Sequence, residues 1–261
     1  MGQAQINGIS THYQRIPATG SDGPAPTVVC VHGIGYDSLA SFYLTIASPV
    51  AEAGVDVLTY DLRGHGRTER PATGYLLADF IDDLRGLLDT LEVTRPVHLV
   101  GNSYGGTIAF AFAARYPDRV ASIVSIESEP PTQQWSDKMG TTFRNVVEAM
   151  SDEQNIAWVG ETFGSHYARL TRAASAVIAA TTIVDEVAAG PLLAADGLAA
   201  IRCPVLSIVG SEGFQSDDLG AVAAMLPDCR TEVIDGQNHS VLVERHLLVR
   251  KLLLGWLAEH A

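Results

Sequence analysis

The 261-residue sequence predicts an α/β fold: a mostly parallel sheet covered by helices on both faces, with an inserted helical cap. Three observations predict it. Short, predominantly apolar runs such as Thr27–Val31 (TVVCV), Pro96–Val100 (PVHLV) and Val120–Ile126 (VASIVSI) read as strands buried on both faces. Between them lie segments with apolar residues every three or four positions, which read as helices. From Pro130 to Ala200 the alternation stops and only helical patterning is found. The resulting organisation is a core of residues 1–129 and 201–261, with residues 130–200 as the cap.

Each element can be justified in order. Gln3–Ile6 and Ser10–Ile16 flank Asn7-Gly8, a strong tight-turn dipeptide, and so form an antiparallel pair. The Gly/Pro-rich stretch Gly20–Pro26 connects them to the strand Thr27–Val31. Leu39–Ala53 reads as a helix and Val55–Tyr60 as the next strand. Leu77, Phe80, Ile81, Leu84, Leu87, Leu88 and Leu91 lie along one helical face. Pro96–Val100 is a strand, Thr107–Arg115 a buried helix and Val120–Ile126 a further strand. In the cap, Phe143, Val146, Val147 and Met150 form one helical stripe. Ile156, Val159 and Phe163 form another, before an Ala/Val/Ile-rich run from Ala173 to Ala189. Val205–Val209 and Thr231–Ile234 are the last strands, separated by a helix near Asp218–Met225, and Val243–His260 closes the chain as a helix. A cap at this point covers the carboxyl edge of the sheet, where open α/β folds bind ligands.

Composition bounds the function. With 47% hydrophobic and 18% charged residues the chain is that of a globular protein with a generous core. Lys and Arg number 17 against 30 Asp and Glu, a formal charge of -13, which argues against nucleic-acid or anionic-membrane partners and disfavours a strongly anionic substrate. No stretch is long and apolar enough to cross a bilayer, since Leu247–Leu257 contains Arg250 and Lys251. The opening MGQAQINGIS lacks a charged-then-apolar secretion pattern, so the cytoplasm is the expected location. Three cysteines, with no C-x-x-C or Cys/His ligand spacing, read as buried or idle thiols with no metal site. The oligomeric state is not set by the sequence, and a homodimer is left open.

The chemistry centres on Ser103, within Gly101-Asn102-Ser103-Tyr104-Gly105. This G-x-S-x-G falls where a strand meets a helix, a turn that raises the serine hydroxyl above the sheet edge. The helix N-terminus beyond it presents unpaired N–H groups that favour negative charge. A serine hydroxyl needs a base, and His239 in Asp235-Gly236-Gln237-Asn238-His239-Ser240 lies in the loop before the last helix, at the same sheet edge. His32-Gly33-Ile34-Gly35 follows the Thr27–Val31 strand. There the N–H of Ile34 can converge with that of Tyr104 on a carbonyl oxygen and stabilise a tetrahedral oxyanion. The imidazole of His32 is read as a packing and hydrogen-bonding group.

Together, HGIG, YDLRGHGRT (Tyr60–Thr68), GNSYGG and the late DGQNH resemble the α/β-hydrolase superfamily, in its serine-nucleophile esterase and lactonase-like branch with a helical cap. Within DLRGHGRT the resemblance implies structural roles for Asp61, Arg63 and His65. The chain departs from the commonest pattern at the acid. Many relatives carry an Asp in a G-x-x-D turn after the strand matching Val205–Val209, whereas this chain reads Gly210-Ser211-Glu212-Gly213, with glycine at the acid position. Some branches place the acid after the strand that follows the nucleophile helix, and there this chain has Glu127. Glu127 is the preferred acid, with Glu212 or Asp217 as alternatives; its work is to orient His239 and stabilise the imidazolium.

The resemblance implies hydrolysis of a carboxylic ester or lactone of a hydrophobic small molecule, with no metal or organic cofactor. Thioester and carbon–carbon bond hydrolysis use the same triad. A cofactor-free dioxygenase or a non-catalytic ligand-binding protein are the alternatives on this fold. Serine at the elbow argues against epoxide hydrolase and haloalkane dehalogenase chemistry. Apolar cap residues, among them Trp135, Phe143, Trp158, Phe163 and Ile178, suit a hydrophobic substrate. Trp135 and His166 are the residues expected to face it, while Arg169 and Arg172 are expected to be solvated.

Overall fold

The computed structural model describes residues 2–20, 23–35, 37–215 and 217–260, the side chain of Ser151 apart. Ser21 and Asp22 of the Gly20–Pro26 connector lie outside the described residues. Eight strands form one sheet in the order β1-β2-β4-β3-β5-β6-β7-β8. β1 (Gly2–Ile6) and β2 (Ile9–Ile16) make the opening hairpin around Asn7, whose φ is +48°. β2 pairs antiparallel with β4 (Asp56–Tyr60), and from there every pairing is parallel. The parallel set adds β3 (Thr27–Val31), β5 (Val97–Asn102), β6 (Val120–Ile126), β7 (Val205–Gly210) and β8 (Cys229–Ile234).

The apolar runs have a direct physical reason. Successive strand residues face opposite sides of the sheet, and both sides are covered. Val29, Val31, Leu99 and Ile123 enter one core, whereas Val28, Cys30, Val100 and Val124 enter the other. The second core is closed by α1 (Ala40–Phe42) and α2 (Ser48–Glu52), joined without a break by the π-helical stretch Tyr43–Ala47. The first is closed by α3 (Leu77–Thr90), which buries Leu77, Phe80, Ile81, Leu84, Leu87 and Leu88, and by α4 (Tyr104–Arg115).

Between β6 and β7 the described chain contains helices and no strand: α5 (Gln133–Ser151), α6 (Glu153–Phe163), α7 (Ser165–Ala180), α8 (Ile183–Glu186) and α9 (Ala195–Ala199). Thr132 caps α5, its Oγ1 accepting the N–H of Trp135 at 3.2 Å. The chain ends with α10 (Ala221–Met225), α11 (Val241–Glu244) and α12 (His246–His260).

Several boundaries differ from the sequence reading: Leu91 lies just past the end of α3, and two further differences concern the later helices. α4 starts at Tyr104, not Thr107, because Gly105 and Gly106 are helical under tertiary constraint. The single closing helix expected over Val243–His260 is two, divided at Arg245, whose side chain is held by Gln237 Oε1 at 2.8 Å. Among the described residues no helix is long and apolar enough to cross a membrane.

Candidate active site

Three parallel strands end at one place on the carboxyl edge of the sheet. Ser103 directly follows β5, Glu127 directly follows β6, and His239 lies in the loop after β8. Ser103 has φ +52° and ψ −124°, a left-handed conformation rare for a residue with a side chain. The turn is held by the Ser103 N–H donating to Ile126 O at 2.8 Å. It also depends on Gly105: a Cβ there would stand 2.0 Å from Val31 O, so α4 packs its backbone against the end of β3.

Ser103 Oγ lies 3.0 Å from His239 Nε2, and His239 Nδ1 lies 3.1 Å from Glu127 Oε2. With Nδ1–H donating to the carboxylate, Nε2 is free to accept the serine proton. The His239 side chain is 48% exposed and that of Glu127 is fully buried, so solvent reaches the imidazole but not its anionic partner. Glu127, itself at φ +51°, accepts two further N–H groups, from Gly210 and, at 2.8 Å, from Phe214. These bonds satisfy the carboxylate in a buried place and fix its orientation. The Phe214 ring stands against the His239 ring, with centroids 5.6 Å apart.

Glu212 is exposed at the tip of the β7 loop and its N–H donates to Gln237 O. Asp217 is exposed as well, and neither is among the hydrogen-bond partners of His239 in the described structure. Gly213 explains the arrangement, since a Cβ on it would lie 2.3 Å from Glu127 Oε2. The Glu127 carboxylate fills the space that a side chain at position 213 would occupy.

The loop of Ile34 is pinned from several sides. Gly33 N–H donates to Asp37 Oδ2 and Gly35 N–H donates to His65 Nε2, both at 2.9 Å. His32 donates from Nδ1 to Gly33 O and accepts the Leu62 N–H at Nε2, at 2.6 and 3.0 Å. His65 donates from Nδ1 to Arg63 O at 2.8 Å. Burial, aided by the neighbouring His32, pushes the pKa of His65 down to about 4, which keeps Nε2 an acceptor at neutral pH. Arg63 in turn is clamped by both oxygens of Asp83 at 2.7 Å. The landmark loop after β4 therefore supports the loop after β3. Ile34 N–H lies between the two pinned amides, and Tyr104 N–H opens α4, where no intrahelical acceptor exists.

Over Ser103 lies a cavity of about 400 Å³. Trp135, Met139, Phe143, Val146, Val147 and Met150 line it from one stripe of α5. Trp135 is 1% exposed and packs beside the Tyr104 ring, whose hydroxyl donates to Val187 O. His166 is not brought to this cavity. It lies at the start of α7, three turns before the cavity residue Ile178, exposed and accepting from Arg169 at 2.9 Å. Trp158 and Phe163 also face away: each is 57% exposed and their rings meet edge to face. Asp37 and Phe214 were missed by sequence reasoning, although Asp37 stands only two residues beyond HGIG. Among the described residues no group of three or more His, Cys, Asp or Glu is placed to hold a metal ion.

A family model described as the alpha/beta hydrolase fold matches residues 26–180, more than half of the sequence. The chain belongs to the alpha/beta hydrolase fold family. It is similar to the 2-(acetamidomethylene)succinate hydrolase of Mesorhizobium japonicum, 36% identical over 108 residues that span 41% of this chain and 37% of that protein. It is also similar to the 2-hydroxy-6-oxo-2,4-heptadienoate hydrolase of Pseudomonas putida, 39% identical over 103 residues, or 39% of this chain and 37% of that protein. These matches thus span under two fifths of the relatives' own lengths. Among solved structures, one from work on the carboxylesterases of Nitrososphaera gargenis superposes with a TM-score of 0.74 at 25% identity, covering 98% of both chains.

Proposed function

We propose that the protein is a serine hydrolase that cleaves a carboxylic ester or lactone of a hydrophobic small molecule through an acyl-enzyme. The observation that carries this reading is the line of contacts from Ser103 Oγ to His239 Nε2 and from His239 Nδ1 to Glu127. Ser103 Oγ attacks the carbonyl carbon as its proton passes to His239 Nε2. The carbonyl π electrons move onto oxygen, and the oxyanion is stabilised by the N–H groups of Ile34 and Tyr104. Glu127 offsets the imidazolium charge throughout. The intermediate then collapses, the alcohol leaves with the proton held on Nε2, and an ester to Ser103 remains. Water, deprotonated by the same nitrogen, repeats the sequence and releases the acid. The helices between β6 and β7 act as a cap, with α5 supplying the apolar wall for the substrate.

Support comes from the similarity to the carboxylesterase structure, which extends over nearly the whole chain. A second reading, carbon–carbon bond hydrolysis by the same residues, is favoured by the similarity to the heptadienoate hydrolase. A fluorophosphonate probe and a panel of p-nitrophenyl esters, lactones, thioesters and a hydroxy-oxo-dienoate separate them. The probe is expected to label wild type and not Ser103→Ala, with ester turnover at least about a thousandfold lower in the variant. Absence of both labelling and ester or lactone turnover would overturn the first reading, and turnover confined to the dienoate would favour the second.

A further inference from the structure

Resting on the ester-hydrolase reading, we infer that the cavity admits an uncharged apolar group and turns away substrates bearing a carboxylate, with Asp37 setting that preference. Among the described residues, the titratable side chains lining the cavity are Asp37, Glu127, Glu129 and His239, with no Lys or Arg. Two of the three carboxylates have a side-chain partner. Glu127 accepts from His239 and from the two amides of the β7 loop. Glu129 is paired with Lys138 at 2.7 Å. The Lys138 ammonium also donates to Phe214 O and sits 4.2 Å from the centre of the Phe214 ring, so this cation is held in place and already neutralised.

Asp37 is different. Its two oxygens accept the backbone N–H groups of Gly33 and Ser38, at 2.9 and 2.8 Å, and among the described residues no Lys or Arg pairs with it. It is also close to the reacting atom. Asp37 Oδ2 and Ser103 Cβ each lie 3.3 Å from the point where a Cβ on Gly33 would stand. A carboxylate entering the cavity would lose its water against the apolar stripe of α5 and meet a fixed like charge. At an effective dielectric of about 20, two like charges about 8 Å apart repel by an amount worth roughly thirtyfold in binding. The same field hastens departure of the acid formed at Ser103, which is itself an anion. Succinate and heptadienoate, named for two relatives, are carboxylates that this lining does not suit.

The test compares two esters of equal length, p-nitrophenyl hexanoate and mono-p-nitrophenyl adipate, on the full chain at low salt. In the wild type, kcat/KM should favour the hexanoate by about a hundredfold or more, and Asp37→Asn should narrow that ratio by about tenfold. A wild-type ratio below about threefold, or an unchanged ratio in an active Asp37→Asn, overturns the inference. Should the variant lose its loop, inhibition of the wild type decides: hexanamide should inhibit at least about tenfold more tightly than hexanoate, and equal inhibition overturns the inference. If neither ester is turned over, it is the ester-hydrolase reading that fails.

Discussion

Glu127 and a side chain at position 213 compete for one volume. The Glu127 carboxylate lies so close to Gly213 that any Cβ there would overlap it, so an acid at the end of β6 and one at the end of β7 exclude each other. Glu127→Gln preserves the shape but removes the charge that accompanies the imidazolium, and is expected to lower kcat by roughly 10³–10⁴-fold. Glu212→Gln, at an exposed loop tip, should leave kcat within about twofold. A comparable loss in both variants would contradict the assignment. Gly213→Ala should displace the carboxylate from His239 and lower kcat with a smaller effect on KM, measured with any ester that is turned over. At this scale the sequence was informative about which side chains meet, as at Ser103 and His239, which stand 3.0 Å apart. For the acid it preferred Glu127 and kept Glu212 and Asp217 as alternatives. The glycine at 213 is plain in GSEG, but its reason is a clash between residues 86 positions apart in the chain.

The turn at Ser103 belongs to the strand and helix on either side of it. β5 delivers Ser103, and α4 must begin at once for Tyr104 N–H to be presented, which requires helix backbone to press on the carbonyl end of β3. Gly105→Ala sets a methyl group 2.0 Å from a backbone oxygen that cannot move without breaking the sheet. Soluble yield is therefore expected to collapse, whereas Ala at Gly255, with open space around it in α12, should fold normally and gain slightly in stability. Equal yields of the two variants would refute the packing argument. Elements with strong periodicity, such as α3 and the parallel strands, were legible because burial on one or both faces writes itself into spacing. The start of α4 was not, because the glycines that signal a turn locally are recruited into a helix by contact with β3. Nor was the orientation of α6 and α7. An apolar stripe shows that a helix has a face, and only the packing shows that Ile178 meets the cavity while Trp158 and His166 do not.

Across the whole molecule, two buried imidazoles tie stability to pH. His65 braces the loop after β3 from the landmark loop, and His98 in β5 meets Ser122 Oγ at 2.8 Å, a hydroxyl that also accepts Trp256 Nε1–H from α12 at 3.0 Å. Burial pushes the pKa of each down to about 4; His32 adds to the effect at His65 and His260 at His98. Unfolded histidine binds its proton near pH 6.5. Between pH 6.5 and 4 the unfolded chain thus holds protons that the folded chain refuses, and unfolding gains free energy as pH falls. The stabilising contribution is complete above pH 6.5 and is lost progressively on going to pH 4, on the order of 3 kcal/mol for His65. An opposing effect exists, because a chain of formal charge -13 repels itself less as its carboxylates protonate. That repulsion is long-range and screened by salt, whereas the desolvation of a buried imidazole is not. Urea denaturation in about 0.5 M NaCl therefore damps that repulsion and leaves the buried groups to set the pH dependence. The midpoint should drop steadily from pH 7 to pH 4.5, with most of the loss below pH 6.5 and little change in m. A flat profile at high salt would mean that these imidazoles accept protons within the fold, and that the hydrogen bond from Gly35 to His65 does not require a neutral ring.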